Sequence, residues 1–284
     1  MINTEKIEEL IDLTIASGYV KDNEAPISLI LIANPESGKS KMLEQIKNKH
    51  SIEVSDISSK GITDVIIPLL EENKLHHIIV PDFIKVISHK TTTTDATMAF
   101  FNSIMEEGIK RSIYFGQLIQ LRKKQKCGLI TSITFDYYYK IFRKWHDIGF
   151  LSRFLPVSFT YSQNTIDRIN HAIARNEKYE TIHDTKAIVK QNINIPNDIS
   201  DKLNFLLTEI VSRQKKDSIR VKTRGGKIKT YHIELYGFRL HKQLRKLLKS
   251  IALKEGRDTV NWSDMSKLQT IIDYIRLPKN PKEL

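Results

Sequence analysis

The 284-residue chain has one cysteine, Cys127, which excludes an intrachain disulfide and a zinc cluster built on cysteines. It lacks the ~18 uninterrupted apolar residues that a membrane-spanning helix needs, so no membrane partner is expected. Its first residues, Met1 to Lys6, lack the basic-then-apolar layout of a secretory leader. Internal repeats and low-complexity stretches are missing as well. Together these absences suit a reducing cytoplasm.

Acid is also scarce, but only in places. The net charge of +12 is uneven: residues 1–109 carry 10 Lys+Arg against 17 Asp+Glu, whereas 201–284 carry 20 against 9. Between them, residues 110–126 hold Lys110, Arg111, Arg122, Lys123, Lys124 and Lys126 with no acid. Such asymmetry points to a polyanion partner on one side of the molecule. A solvated, lysine-rich surface is the alternative.

Residues 4–16 carry apolar positions at Ile7, Leu10, Ile11 and Ile15, a helical spacing. The continuous apolar run Ser28–Ala33 predicts a strand covered on both faces. A helix is expected from Lys39 to about Asn48. A second buried strand is expected at His76–Val80 and a third at Gly128–Ile133. Thr91–Asp95 reads as a loop before a helix from about Ala96 to Glu107, and the basic residues 110–126 follow. Strands separated by helical segments indicate a parallel sheet with helices on both faces. From about Asp198 the pattern becomes helical, broken by the turn Arg224-Gly225-Gly226-Lys227. The expected organisation is an N-terminal helix and linker (1–25), an α/β core (26–195) and a small helical lid (196–284).

Ala33-Asn34-Pro35-Glu36-Ser37-Gly38-Lys39-Ser40 fits the phosphate-loop pattern, with Ala in place of the first Gly. Backbone amides across Pro35–Ser40 can cradle phosphate oxygens. Lys39 is expected to reach the β- and γ-phosphates of ATP, and the Ser40 hydroxyl to ligate Mg2+. Gly38 permits a backbone conformation that other residues resist. Phosphoryl transfer also needs an acid at the end of a nearby strand for Mg2+, usually beside one that orients the attacking water. Pro81-Asp82-Phe83 supplies one acid. Either Asp82 is the metal-side acid with Phe83 in the second position, or Pro81 replaces the first acid and Asp82 is the second.

With four further segments, the chain resembles the AAA+ module of minichromosome-maintenance-type helicases over roughly residues 26–275. Ser58-Ser59-Lys60-Gly61-Ile62-Thr63 is similar to a stretch that opens a DNA-facing helical insert there. Asn102 to Ile113 is similar to the segment leading into a β-hairpin that points into the ring channel. Thr131 lies where the family has its sensor-1 Asn, and this chain has no Asn there. Phe150-Leu151-Ser152-Arg153-Phe154 matches the motif whose Arg is the trans arginine finger. Gly237 to Arg245 resembles the lid segment carrying the sensor-2 Arg, here Arg239.

The resemblance implies a P-loop AAA+ core, a β-hairpin insert and a homo-oligomeric ring or spiral. Lys39, Asp82, Thr131, Arg153 and Arg239 are then the catalytic candidates, with DNA as partner. A second expectation is a weakly hydrolysing ATP-dependent switch that recruits a protein partner on DNA. A third is a DNA-binding adaptor with a vestigial ATP site. The aromatic run Tyr137-Tyr138-Tyr139 with Phe142 and Trp145 reads as base-stacking or, more commonly, as helix packing. His76 and His77 have no third ligand at metal spacing.

Overall fold

In the computed structural model, α1 (Glu5–Ser17) precedes β1 (Ser28–Ala33), and all six residues of β1 are buried. Side chains alternate between the faces of a strand. Leu29, Leu31 and Ala33 therefore join one apolar cluster, and Ile30 and Ile32 the other. This accounts for the unbroken apolar run: both faces are covered. The structure describes residues 4–278 apart from 115, 178–182, 185–187, 215–217, 223–227 and 233–237.

After β1 come α2 (Lys39–Glu44), β2 (Ile46–Lys47) and β3 (Ser51–Glu53). The short helix α3 (Ser59–Gly61) widens into a π turn and continues as α4 (Ile67–Glu71). Then follow β4 (His77–Val80), α5 (Phe83–Ile87) and α6 (Thr91–Asn102), which ends in a second π turn at Ser103–Glu107. An antiparallel hairpin, β5 (Ile109–Tyr114) and β6 (Gln117–Gln125), leads to β7 (Gly128–Thr134), α7 (Phe135–Asp147) and β8 (Phe154–Ser158). The remainder contains α8 (Gln163–Ala174), β9 (His183–Asp184) and α9 (Asn197–Gln214). It closes with the pair β10 (Ser218–Lys222) and β11 (Ile228–His232), then α10 (Phe238–Lys254) and α11 (Trp262–Ile271).

Five strands form one sheet in the order β3-β4-β7-β1-β8, with every neighbouring pair parallel. All five C-terminal ends therefore share one edge, where open α/β sheets bind ligands. On one face, α1 packs on α10, and Leu10, Ile11, Leu247 and Ile251 are all buried in the same apolar cluster. Each such fully buried Leu or Ile stabilises the fold by roughly 1.5–3 kcal/mol. Asp22 ties the loop before β1 to α10 by pairing with Lys246 and, at 3.2 Å, with Lys249. Among the described residues, no helix is long and apolar enough to cross a membrane.

Three expectations are corrected. The helix after the phosphate loop stops at Glu44 rather than near Asn48, because Ile46 enters the core and pairs with His183. Thr91–Asp95 is helix, not loop: β-branched threonine costs only a few tenths of a kcal/mol, and the buried Thr94, Thr97, Phe100 and Phe101 anchor α6 to the core. Beyond Asp198 the chain is not purely helical, because Ser218–Lys222 pairs with Ile228–His232. The expected turn Arg224–Lys227 lies outside the described residues.

Candidate functional site

The loop between β1 and α2 turns sharply at the C-terminal edge of the sheet. Gly38 has φ +76° and Glu36 has φ +59°. The left-handed region suits glycine, whereas a residue such as Glu36 held there costs roughly 1–2 kcal/mol. The Lys39 side chain folds back under this loop, and the residue is 7% exposed. Its ammonium donates to Ala33 O at 3.1 Å, Asn34 O at 2.6 Å and Ser37 Oγ at 3.2 Å. Burial pushes its pKa down to about 8, against the pull of the nearby Asp82 carboxylate. Across the groove, Tyr161 Oη donates to Ser37 O at 2.8 Å and pins the loop to the segment before α8. Pro35 and Glu36 stand exposed at the loop's outer turn.

Two adjacent strands complete the corner. Ser40 Oγ donates to Pro81 O at 3.3 Å, and Ser132 Oγ donates to the same carbonyl at 2.6 Å. Asp82 caps α5, accepting from Ile84 N at 3.1 Å. Phe83 is fully buried, stacked at 5.8 Å on Phe150 and edge-on to Trp145 at 5.6 Å. Of the two residues after Pro81, Asp82 is therefore the one beside the loop. Thr131 is also fully buried, and its hydroxyl is spent on Val80 O at 2.7 Å. One residue on, Ser132 makes the contact to the corner. The structure places Lys39, Ser40 and the Asp82 turn at one corner, where the sequence alone assigns no role to Tyr161 or Ser132.

Beside the loop runs an open groove of about 230 Å³, bordered by Ser37, Gly38, Lys41, Gln45, Tyr161 and Ala172. Its α8 side carries Ile173, which is 67% exposed.

Arg153 and Arg239 lie elsewhere. Arg153 immediately precedes β8, and Phe154 pairs with Ser28 at the N-terminal end of β1. At a rise of about 3.3 Å per residue, that end is roughly 17 Å from the phosphate loop. Here Arg153 NH2 lies 3.0 Å from Glu106, and Arg239 Nε donates to Glu106 Oε1 at 2.6 Å. Arg153 also donates from Nε to Asn102 O at 3.1 Å and from NH1 to Gly149 O at 2.6 Å. Arg239 NH1 donates to Ser152 Oγ at 2.8 Å, and Gln243 donates to Arg153 O at 2.9 Å, docking the start of α10. Burial pushes the Glu106 pKa up, but the Arg239 hydrogen bond and the two guanidinium charges outweigh it, holding the carboxyl below its ordinary range. Burial also pushes the Arg153 guanidinium pKa down, against Glu106. A cavity next to this cluster is further lined by Lys126, Lys242 and Lys246.

The basic residues expected on a hairpin do lie there. Ile119 and Leu121 bury their side chains in the core, while Lys110, Arg111, Arg122, Lys123 and Lys124 are exposed. Arg122 approaches Glu71 only to 3.7 Å in open solvent, a contact of little energetic weight. Lys126 donates to Asn23 O at 2.7 Å at the hairpin base. Tyr138, Phe142 and Trp145 are buried, so this face of the aromatic run packs the core instead of facing a base. His77 is fully buried with Nε2 3.2 Å from Ile27 O, and no metal-binding cluster occurs among the described residues. Compared with protein-family models and with curated proteins, the chain matches none.

Proposed function

We propose that the chain is a P-loop ATPase of the AAA+ type, which binds ATP with Mg2+ at a site shared between subunits and couples it to DNA binding or translocation. The observation that carries this is Lys39: a nearly buried ammonium held under a strand–loop–helix turn, with Ser40 and the Asp82 turn alongside. A buried cation held by neutral oxygens is poised for an anion, since burial leaves its charge only partly compensated. Loop amides and Lys39 would hold the phosphates, and the groove beside Tyr161 and Ala172 would take the nucleoside. Ser40 and Asp82 offer the hard oxygen donors that Mg2+ prefers. A bound Mg2+ neutralises charge on the phosphate oxygens.

Arg153 and Arg239 sit at the opposite end of the sheet from the loop of their own chain. They can meet a nucleotide only on a second copy, which is the basis for a shared site. There a guanidinium offsets charge that builds on the transferring phosphoryl group. The exposed cations of β5–β6 would track a nucleic-acid backbone by charge, without sequence readout. Lys39→Ala should abolish binding of a labelled ATP analogue, and specific ATPase activity should rise steeply with protein concentration. An unchanged analogue affinity in Lys39→Ala sinks the proposal.

A second reading is a slow-hydrolysing nucleotide switch that recruits a protein partner. The burial of Phe83 favours it, because a core aromatic stands where a second acid is needed to orient water. Turnover per subunit with and without DNA separates the two: a motor accelerates on DNA, and a switch binds ATP without appreciable turnover.

A further inference from the structure

Arg239 and Arg153 are not idle guanidiniums, for both already face a carboxylate. Glu106 Oε1 accepts from Arg239 at 2.6 Å, and its Oε2, 3.0 Å from Arg153, is buried and makes no hydrogen bond. Arg153 is therefore held to Glu106 by charge, while its Nε and NH1 are committed to the carbonyls of Asn102 and Gly149. The Arg239 side chain is 40% exposed against 11% for Arg153, so Arg239 is the one that an outside anion can reach. A carboxylate and a terminal phosphate offer the same kind of oxygen to a guanidinium fork, and the phosphate carries more charge. The two compete for the same donors.

What Glu106 does next depends on its place in the chain. Only Glu107 and Gly108 separate it from β5, the first strand of the basic hairpin. Gly108 has φ +80°, and a Cβ there would stand 2.7 Å from Gln125 O at the end of β6. Its amide donates to Ser103 O at 2.7 Å. The connection is short and closely packed, so a displacement of Glu106 has little slack in which to dissipate.

We infer that Glu106 is an exchangeable positioning residue: a phosphate on the adjacent subunit replaces it on Arg239, and the released carboxylate shifts the base of the β5–β6 hairpin. Arg239 is then the contact to the neighbour's nucleotide, and Arg153, anchored on the carbonyls of Asn102 and Gly149, keeps its charge beside Glu106. The inference rests on the shared ATP site proposed above. It adds a route by which nucleotide occupancy changes the grip of the hairpin on DNA.

The test measures the affinity of a labelled oligonucleotide by anisotropy, with and without a non-hydrolysable ATP analogue, at assembling protein concentrations. Analogue binding is read separately. In the wild type the analogue should change DNA affinity by about fivefold or more, the usual size of a coupling between sites. Glu106→Gln should bind the analogue yet show a response below about twofold. Arg239→Lys, which keeps the charge but loses the fork, should fall between them. A merely structural Glu106 would lower both affinities and leave their ratio intact, and that result overturns the inference. If Glu106→Gln does not fold, amide exchange in the wild type decides. Exchange across Ile109–Gln125 should change when the analogue binds, and no change with the analogue bound overturns the exchange. If the wild type binds no analogue at all, the ATP site itself is wrong, and the separate binding readout shows that directly.

Discussion

Lys39 is the residue on which the proposed ATP site turns, and its burial carries an electrostatic cost. Its free-state pKa of about 8 lies well under the 10.5 of an ordinary lysine. A base depressed in this way penalises folding while it stays protonated, below about 8, and the penalty vanishes as pH rises through 10.5. A bound phosphate reverses the balance and pulls the proton back on. ATP affinity should therefore be flat up to about pH 8 and then fall by about tenfold per pH unit until the bound-state pKa is passed. Titration calorimetry in buffers of different ionisation enthalpy checks this through proton uptake on binding above pH 8. The residues of this corner were legible in the sequence because Lys39 and Ser40 are neighbours and Asp82 follows an apolar run. Glu106 was not, since its partner Arg239 lies 133 positions away and only folding reveals the shared carboxylate. Tyr161 was hidden for the same reason, 124 positions from Ser37.

The β5–β6 hairpin works as an element. Ile119 and Leu121 hold it to the core while its cations stay in solvent, so those charges can change without disturbing the fold. Replacing Arg122, Lys123 and Lys124 together by Gln should leave the thermal transition nearly unchanged. It should also flatten the plot of log affinity for DNA against log salt by about 0.7–0.9 per cation that meets a phosphate. A slope identical to the wild type would remove the hairpin from the DNA surface. β1 was readable in advance as an unbroken apolar run of strand length, and this hairpin through the family resemblance. Elements settled by burial against distant residues were not: Ile46 ends α2 by joining the core, and the threonines at the start of α6 become helical because Phe100 and Phe101 are buried beyond them. The β10–β11 pair escaped because a lysine-rich segment with few large apolar residues offers weak contrast between helix and strand.

At the scale of the whole molecule, the parallel sheet separates the two candidate sites, with the β1–α2 loop at one end of β1 and the arginine pair at the other. The proposed shared site requires the loop edge of one copy against the arginine edge of the next, a head-to-tail contact. Two inactive chains, Lys39→Ala and Arg239→Ala, should therefore restore activity when mixed. At equal amounts about one contact in four joins an intact loop to an intact arginine, so about a quarter of wild-type turnover is expected. No recovery in rapidly exchanging mixtures would place both functions within one chain.

In the proposed head-to-tail assembly, the direction of those strands also sets a stoichiometry. Any open row of copies leaves a bare phosphate loop at one terminus and an unused Arg239 at the other, so it always holds one fewer working site than it has members. Only closure into a circle makes the two numbers equal. Saturating occupancy at arginine-completed sites, counted per chain, would thus report whether the assembly has ends.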